Sequence, residues 1–361
     1  MNNGIDIELE GKPDFLKSML RIEAWYNCEI IDRPPVQFRS NEILHEDLNI
    51  KNTSSRFVDD WMDTEFVVDK FLKSIKEKEF RGESFPIFWP NLGPSVYSAF
   101  FGATLEFEKN TSWAIPVIKN WDDLNKLKLD FNNIYFKKLD EMTGYAIEMC
   151  SNKAIVGYTD LHPGLDCVSA WRDPQILCMD LYDEADNVKK AVKLATEAFT
   201  PVYRHFTDIL IEKNQPSVSW MGVPFFDSMH IPSCDFASMI SPAQFKEFAM
   251  PSLIEETRQA KFNIFHVDGK GVANHLDAIC EIPGVNALQW VQGDGGGKPV
   301  MQWLPLIKEM KQKGKAVFIY VESDEIDSFM SEISPKGVFL SITTNNKDEQ
   351  IDILKKIENW R

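Results

Sequence analysis

The sequence predicts an α/β fold, a (β/α)8 barrel of the TIM type with a helical N-terminal extension. Short apolar runs alternate with amphipathic runs along most of the chain, which is typical of parallel strands joined by helices. Seven runs have the length and composition of strands, and we expect an eighth in the poorly patterned segment 104–118. No strand candidate is followed by the GxGxxG pattern of an open dinucleotide-binding sheet. The 361 residues suffice for one such barrel.

The expected elements follow in chain order. Residues 1–80 form the extension, with helices over 13–27 and 55–80 and an extended stretch at 31–36. Residues 81–361 form the barrel, and the two parts make a single structural domain. Strands are expected at 85–89, 154–159, 217–221, 262–267, 286–290, 316–321 and 337–342, and helices at 167–180, 186–213, 242–260, 271–280, 301–313, 323–333 and 347–359. Cap-like helix starts occur at Asp186, Ser241-Pro242 and Ser323.

The charge balance argues against two classes of partner. Lysine and arginine total 39 residues against 55 aspartates and glutamates, a net charge of −16. Nucleic acids and anionic membranes both need a positive patch, so we expect neither as a partner. The chain has no apolar signal core and no run of 18 apolar residues, and its six cysteines form no CxxC pair. We therefore expect a cytoplasmic protein with reduced thiols.

The run at 265–269, Phe-His-Val-Asp-Gly, is the most informative strand end. His266 and Asp268 lie two residues apart on a predicted strand, so they project from one face. They stand at the carboxyl end, where α/β folds place their chemistry. An imidazole beside a carboxylate can hold a metal, relay a proton or bind a polar substrate. A hydrogen bond that merely locks the strand end is an equal alternative.

Several other strand ends carry similar groups, which barrel closure would bring into one mouth. We predict catalytic roles for Asp160, His162 and Asp235. Substrate contacts are predicted for Trp89, Asn91, Trp220, Gln289, Trp290 and Tyr320. Zinc or another divalent metal would be held by His266 and Asp268, completed by Cys234 as a soft ligand or Glu322 as a hard one. The alternatives are that Asp160 and Asp166 are helix N-caps, that Asp235 caps a turn, that the tryptophans belong to the core, and that Cys234 is a small buried hydrophobe.

The glycine-rich run at 293–299 resembles a phosphate loop only superficially. It lacks Walker spacing, and no serine or threonine follows Lys298. We interpret it as a flexible loop at the rim.

At these residues the chain resembles the uroporphyrinogen decarboxylase superfamily, which also contains zinc-dependent, corrinoid-linked methyltransferases. The resemblance runs from Asp32 onward. It rests on the segments 32–36 (DRPPV), 91–94 (NLGP), 241–248 (SPAQFKEF), 159–162 (TDLH) and 288–291 (LQWV). It implies a (β/α)8 barrel, usually a homodimer, and a branch with His-x-Asp-Gly where the methyltransferases carry His-x-Cys-Gly.

The departures from the family pattern narrow what the resemblance implies. Of the arginine-rich motif that holds substrate carboxylates in the decarboxylases, Arg33 and Arg39 remain, separated by a run that includes Val-Gln-Phe at 36–38. The last strand ends in Ser-Ile-Thr-Thr at 341–344, without the decarboxylases' histidine or the methyltransferases' cysteine. A thiolate-rich zinc site is therefore not expected. Because Asp268 supplies a carboxylate oxygen, a hard ligand, any metal site here would have harder ligands than a thiolate site.

Three functions follow as hypotheses. The first is a methyltransferase in which a metal polarises a small substrate and methyl passes to or from a corrinoid protein or a small acceptor. The second is a metal-independent decarboxylase or lyase of a small acid, with Asp160 or Asp268 as the tuned group. The third is a non-catalytic barrel that binds a ligand or partner, in which Asp160, Asp166 and Asp235 serve only as caps.

Overall fold

The computed structural model describes residues 7–40, 57–293 and 299–360. It contains ten strands within these ranges. They are β1 (Val36–Ser40), β2 (Ile87–Phe88), β3 (Thr104–Phe107), β4 (Ser112–Ile115), β5 (Ile155–Val156), β6 (Met229–His230), β7 (Phe262–Asp268), β8 (Ala287–Val291), β9 (Ala316–Glu322) and β10 (Val338–Thr344). The glycine-rich run predicted as a rim loop lies largely outside the described residues, at 294–298.

A six-stranded parallel sheet dominates the fold, in the order β1-β10-β9-β8-β7-β6. Two smaller sheets accompany it, the parallel pair β2-β5 and the antiparallel hairpin β3-β4. The α/β class is thereby confirmed. The described strands do not form one continuous eight-stranded sheet, so the complete barrel stays a prediction.

Two strand predictions were wrong. The segment 104–118, expected to supply an eighth barrel strand, forms the separate β3-β4 hairpin, whose strands alternate between exposed and buried residues. That alternation is typical of a half-solvated antiparallel pair, not of a parallel strand buried on both faces. The segment 217–221 forms only an isolated bridge between Ser217 and Phe225.

The helices surround the sheet and match most of the predicted positions. They are α1 (Phe15–Tyr26), α2 (Phe57–Met62), α3 (Thr64–Ile75), α4 (Val96–Ala99), α5 (Ile134–Cys150), α6 (Gly164–Arg172), α7 (Pro174–Asp183), α8 (Ala185–Glu197), α9 (Phe199–Glu212), α10 (Pro242–Gln244), α11 (Met250–Thr257), α12 (Gly269–Ala273), α13 (Leu276–Glu281), α14 (Leu304–Gln312), α15 (Ile326–Glu332) and α16 (Lys347–Glu358). In the described part of the chain, no helix is both long and apolar enough to cross a bilayer.

Prolines explain where the predicted long helices break. Pro201 has no amide hydrogen and its ring opposes the carbonyl four residues earlier, at Glu197, where α8 ends. Pro174 likewise begins α7, and the residue before it, Asp173, leaves the helical conformation. The start predicted at Ser241 is confirmed: Ser241 and Gln244 cap each other's backbone amides reciprocally.

Burial along the long strands places the chemistry at their carboxyl ends. The first four residues of β7 and of β9 are buried, whereas His266, Asp268, Tyr320 and Glu322 are half-buried. Buried and mostly apolar side chains thus occupy the amino-terminal part of these strands, and polar groups at the carboxyl ends reach a solvent-accessible edge.

The N-terminal segment contributes a strand as well as helices. β1 pairs with β10 and continues the sheet at one edge. The buried carboxylate of Glu83 accepts hydrogen bonds from Arg33 Nη1 at 2.7 Å, from Arg21 Nη1 at 3.1 Å and from the Val36 amide at 2.7 Å. Arg33, which the family resemblance relates to binding of substrate carboxylates, is therefore occupied in holding β1 in place.

Candidate active site at the strand ends

Three side chains with metal-binding chemistry meet at the carboxyl end of β7. His266 and Asp268 project from the same face of the strand and are half-buried. Gly269 follows with φ of +71°, which glycine adopts without strain, so the chain can turn directly into α12. Asp235, the exposed first residue of the 3-10 turn Asp235–Met239, completes the group. One potential ligand atom from each residue lies within 4.8 Å of the other two.

Gln289 on the neighbouring strand orients the His266 ring. His266 Nδ1 lies 2.6 Å from Gln289 Oε1, and Gln289 Nε2 donates to the hydroxyl of Tyr320 at 2.8 Å. With the amide hydrogens directed at Tyr320, the Gln289 oxygen accepts from Nδ1–H. The other ring nitrogen, Nε2, then presents its lone pair. Metal-binding histidines in proteins are commonly held in this way.

The chain of contacts from His266 through Gln289 to Tyr320 continues to Arg39 of β1. The Arg39 guanidinium lies 4.3 Å from the centre of the Tyr320 ring, a cation–π contact. Burial raises the pKa of the Tyr320 phenol, although Arg39 and the hydrogen bond from Gln289 favour its ionised form. Arg39 Nε is buried and has no hydrogen-bond partner among the described residues. An anionic group of a ligand would satisfy such a donor well.

A second polar cluster lies beside the first. His162 Nε2 is 2.7 Å from Asp160 Oδ2, and His162 Nδ1 is 2.7 Å from the hydroxyl of Ser233. Burial opposes the imidazolium, but the charges of Asp160, Asp166 and Asp235 outweigh burial and raise the pKa of His162 to about 10. The imidazolium form is therefore favoured, and it donates from both ring nitrogens, to Asp160 and to Ser233.

Asp166 joins the two clusters through the backbone. One of its oxygens, Oδ2, accepts from the Asp235 amide at 3.0 Å and from the Ser233 hydroxyl at 3.3 Å. The other, Oδ1, accepts from the Phe236 amide at 3.0 Å. Asp166 thus caps a turn of a distant segment. It is not the helix N-cap of its alternative interpretation, since it lies inside α6, whose N-cap is Pro163.

A cleft of about 550 Å³ opens beside this junction. Its walls combine the charged groups with apolar side chains, among them Trp113, His162, Asp166, Asp235, Phe236 and Met239. Cavities of this size accommodate small organic ligands.

The metal ligands predicted from sequence are only partly brought together. Cys234 is 3% exposed and lies outside the three-residue group, and burial raises the pKa of its thiol well above the usual range. A buried, protonated thiol is a poor ligand, and its neighbour Asp235 takes the third position. Glu322, half-buried at the end of β9, is also outside the group, and its charge acts on Arg39.

The predicted substrate contacts divide into two sets. Gln289 and Tyr320 belong to the chain of hydrogen bonds that starts at His266. The Trp220 ring packs edge-on against the His266 ring, with 5.2 Å between the ring centres. Trp290, by contrast, is 1% exposed and packs on Trp303, on the opposite face of β8 from Gln289.

The remaining two predicted contacts lie on the loop after β2. Trp89 is half-buried, and its indole nitrogen has no partner within the described ranges. Asn91 Oδ1 accepts from the Gly93 amide at 2.7 Å, which shapes that loop.

Neither Arg39 nor Ser233 was among the predicted site residues, although the family resemblance related Arg39 to binding of substrate carboxylates. Arg39 stood in a strand that was not predicted, although its segment, Val-Gln-Phe-Arg-Ser at 36–40, alternates apolar and polar residues as strands do. Ser233 carries no local signal, because its role depends on His162 and Asp166, which are about 70 residues away in the chain.

Comparison with known proteins gives a fold and no family. No family model matches the chain, and no curated protein sequence matches it. The solved structure of a methyltransferase from Methanosarcina mazei is similar, with a TM-score of 0.61 and 13% sequence identity. The similarity covers 95% of this chain and 98% of that chain. At this identity the likeness shows that the two proteins share a fold.

Proposed function

We propose that this chain is a methyltransferase-like enzyme of the uroporphyrinogen decarboxylase superfamily, in which a divalent metal assists methyl transfer involving a small substrate. The observation that carries the proposal is the group of Asp235, His266 and Asp268 at the strand ends. The shared fold with a methyltransferase supports it.

The donor set fits a divalent cation. One imidazole nitrogen and two carboxylates make a hard-to-borderline site, which zinc and other first-row metals accept. The orientation of His266 by Gln289 leaves Nε2 free to coordinate. Bound there, a metal would supply Lewis acidity toward a coordinated substrate atom.

The surrounding side chains bind and orient the substrate. Trp220 provides an apolar wall against His266, and Trp89 is proposed to extend it. Arg39 binds an anionic group of the substrate through the guanidinium that lies over Tyr320. The charged pair Asp160–His162 stabilises the loop beside the metal ligands.

The finer parts of the proposal rest on the family resemblance. Methyl passes to or from a corrinoid on a partner protein, or to a small acceptor, and the enzyme is a cytoplasmic homodimer. Closure of the (β/α)8 barrel is supported by two backbone hydrogen bonds outside the sheets' own strand pairs. One runs from Glu83 N, ahead of β2, to Val36 O of β1, and the other from Tyr158 N, just after β5, to Val218 O.

A metal-independent decarboxylase of a small acid is the second candidate. Arg39 favours it, because a buried guanidinium nitrogen without a partner among the described residues suits a substrate carboxylate. Carbon dioxide released from small organic acids by chelator-treated protein would support this function. Demethylation of methylcobalamin in the presence of small thiols or amines would support methyl transfer.

Metal binding by the group of Asp235, His266 and Asp268 is tested by titrating Zn²⁺ into chelator-treated protein in a calorimeter. We expect one site per chain in the wild type and none in His266→Ala, because the single imidazole ligand is lost. His205→Ala is the matched control, since His205 pairs with Asp140 on the helical surface and is outside the site. Equal binding by wild type and His266→Ala would contradict the assignment, as would a wild type that binds no metal.

A further inference from the structure

Asp235 differs from the other two proposed ligands in how it is supported. His266 and Asp268 belong to a strand that is hydrogen-bonded on both sides. Asp235 is exposed and begins a turn of only five residues. A loop carboxylate coordinates productively only if other contacts hold it in position.

The amino end of this turn is held by Asp166. The amides of Asp235 and Phe236 both donate to its carboxylate at 3.0 Å, one to each oxygen. The two amides belong to the two peptide groups that flank the Cα of Asp235, so both peptide planes are fixed by the same carboxyl group. This sets the direction in which the Asp235 side chain leaves the backbone.

Asp166 is itself held in place by its own neighbours. The Ser233 hydroxyl donates to Asp166 Oδ2 and receives a hydrogen bond from His162, which Asp160 anchors on its other side. These contacts, together with the two amides that donate to it, keep the Asp166 carboxyl group directed toward the turn.

Two further contacts hold the body of the turn against the segment that follows β7. His275 Nε2 donates to the carbonyl of Ala237 at 2.8 Å, and the His275 ring stacks on Phe245. A Cβ at Gly271 would lie 2.6 Å from that of Ser238, so the two backbones approach closely here. The turn is thus docked on the segment that continues from the other two ligands.

We propose that Asp166 is a positioning residue that fixes the metal ligand Asp235 by capping its turn. The inference rests on the proposed function, because it assigns a ligand role to Asp235. Asp166 is not one of the three proposed metal ligands, and its contact with Asp235 is through the backbone of that segment. Positioning groups of this kind typically change metal affinity 10- to 100-fold when they are removed.

The test compares Asp166→Ala and Asp166→Asn with Asp173→Ala. Asp173 also accepts from two consecutive amides, those of Gln175 and Ile176, but caps α7 and not the Asp235 turn. Zn²⁺ affinity is measured by calorimetry. We expect about 10- to 100-fold weaker binding in Asp166→Ala. Asp166→Asn, which keeps the side-chain volume and one acceptor oxygen, should be intermediate, and Asp173→Ala should resemble wild type.

Hydrogen exchange on the metal-free proteins provides the independent readout. The amides of Asp235 and Phe236 should be protected in the wild type and in Asp173→Ala, and should lose protection in Asp166→Ala. Equal Zn²⁺ affinity in Asp166→Ala and Asp173→Ala overturns the positioning role, as do unprotected amides in the wild type. A wild type that binds no Zn²⁺ overturns the proposed function, while the exchange data still report whether the cap exists.

Discussion

Gln289 illustrates how one fully buried amide can determine the chemistry of its neighbour. It is 0% exposed and bonds His266 on one side and Tyr320 on the other. Because its oxygen accepts from the imidazole, it selects the tautomer that can coordinate a metal. The strand pattern alone predicted that Gln289 lies near His266. It did not predict that the amide oxygen accepts from His266 while the amide nitrogen donates to Tyr320.

Replacing Gln289 with leucine should weaken Zn²⁺ binding. Leucine is similar in size but offers no acceptor, so the His266 ring loses its orientation, and we expect a 10- to 100-fold rise in Kd. Tyr320→Phe is the control, since it leaves the Gln289 oxygen in place, and its effect on Kd should be smaller. Calorimetric titration of both variants checks this, and equal Kd values would contradict the orienting role.

At the same scale, Cys234 and Asp235 show why the ligand set could be predicted only in part. The sequence analysis predicted Cys234 or Glu322 as the third ligand and did not consider Asp235 for that position. The structure buries the thiol and exposes the carboxylate, because consecutive residues at the start of the turn point in different directions. Asp235 was predicted as a catalytic group, so its chemistry was recognised and its position was not.

At the scale of elements, a buried ionic network joins the N-terminal segment to the sheet. Glu83 is fully buried and accepts from Arg21, Arg33 and the Val36 amide. Neutralising it leaves two buried guanidinium groups without their central partner. Such networks are costly to break because the remaining charges stay desolvated.

Glu83→Ala should therefore destabilise the protein by about 3 to 5 kcal/mol, the range for a buried ion pair that loses one partner. The free energy of unfolding in urea is the measurement. Glu79→Ala, which removes an exposed carboxylate paired with Arg81, is the control and should change stability little. A similar small change for both variants would show that the network does not hold β1.

How well a strand or helix could be predicted from the sequence depended on its length and on the periodicity of its apolar residues. β7, β8, β9 and β10 are five to seven residues long, each begins with at least four buried residues, and they were predicted within two residues of their ends. β1, β5 and β6 are short or amphipathic, so their pairing depends on the sheet beside them and not on local preference. The 17-residue helix α5 was missed.

For the whole molecule, metal binding and folding should be linked. Any ligand that binds only the folded state stabilises it, by about 2.7 kcal/mol at a free concentration one hundred times Kd. Excess Zn²⁺ should thus raise the Tm of the wild type in calorimetry relative to chelator, and should leave the Tm of His266→Ala unchanged. The same shift in both proteins would indicate binding elsewhere.

The sequence alone determined the α/β class, the positions of the long strands and the residue types at their carboxyl ends. Those properties follow from local periodicity and from the general rule that parallel strands end on one edge. Only the tertiary structure decided which of these groups meet. Asp166 reaches the turn at Asp235, Ser233 reaches His162, and Glu83 occupies Arg33, each across 50 or more residues of chain. Contacts over such separations depend on how the elements pack, which no local pattern encodes.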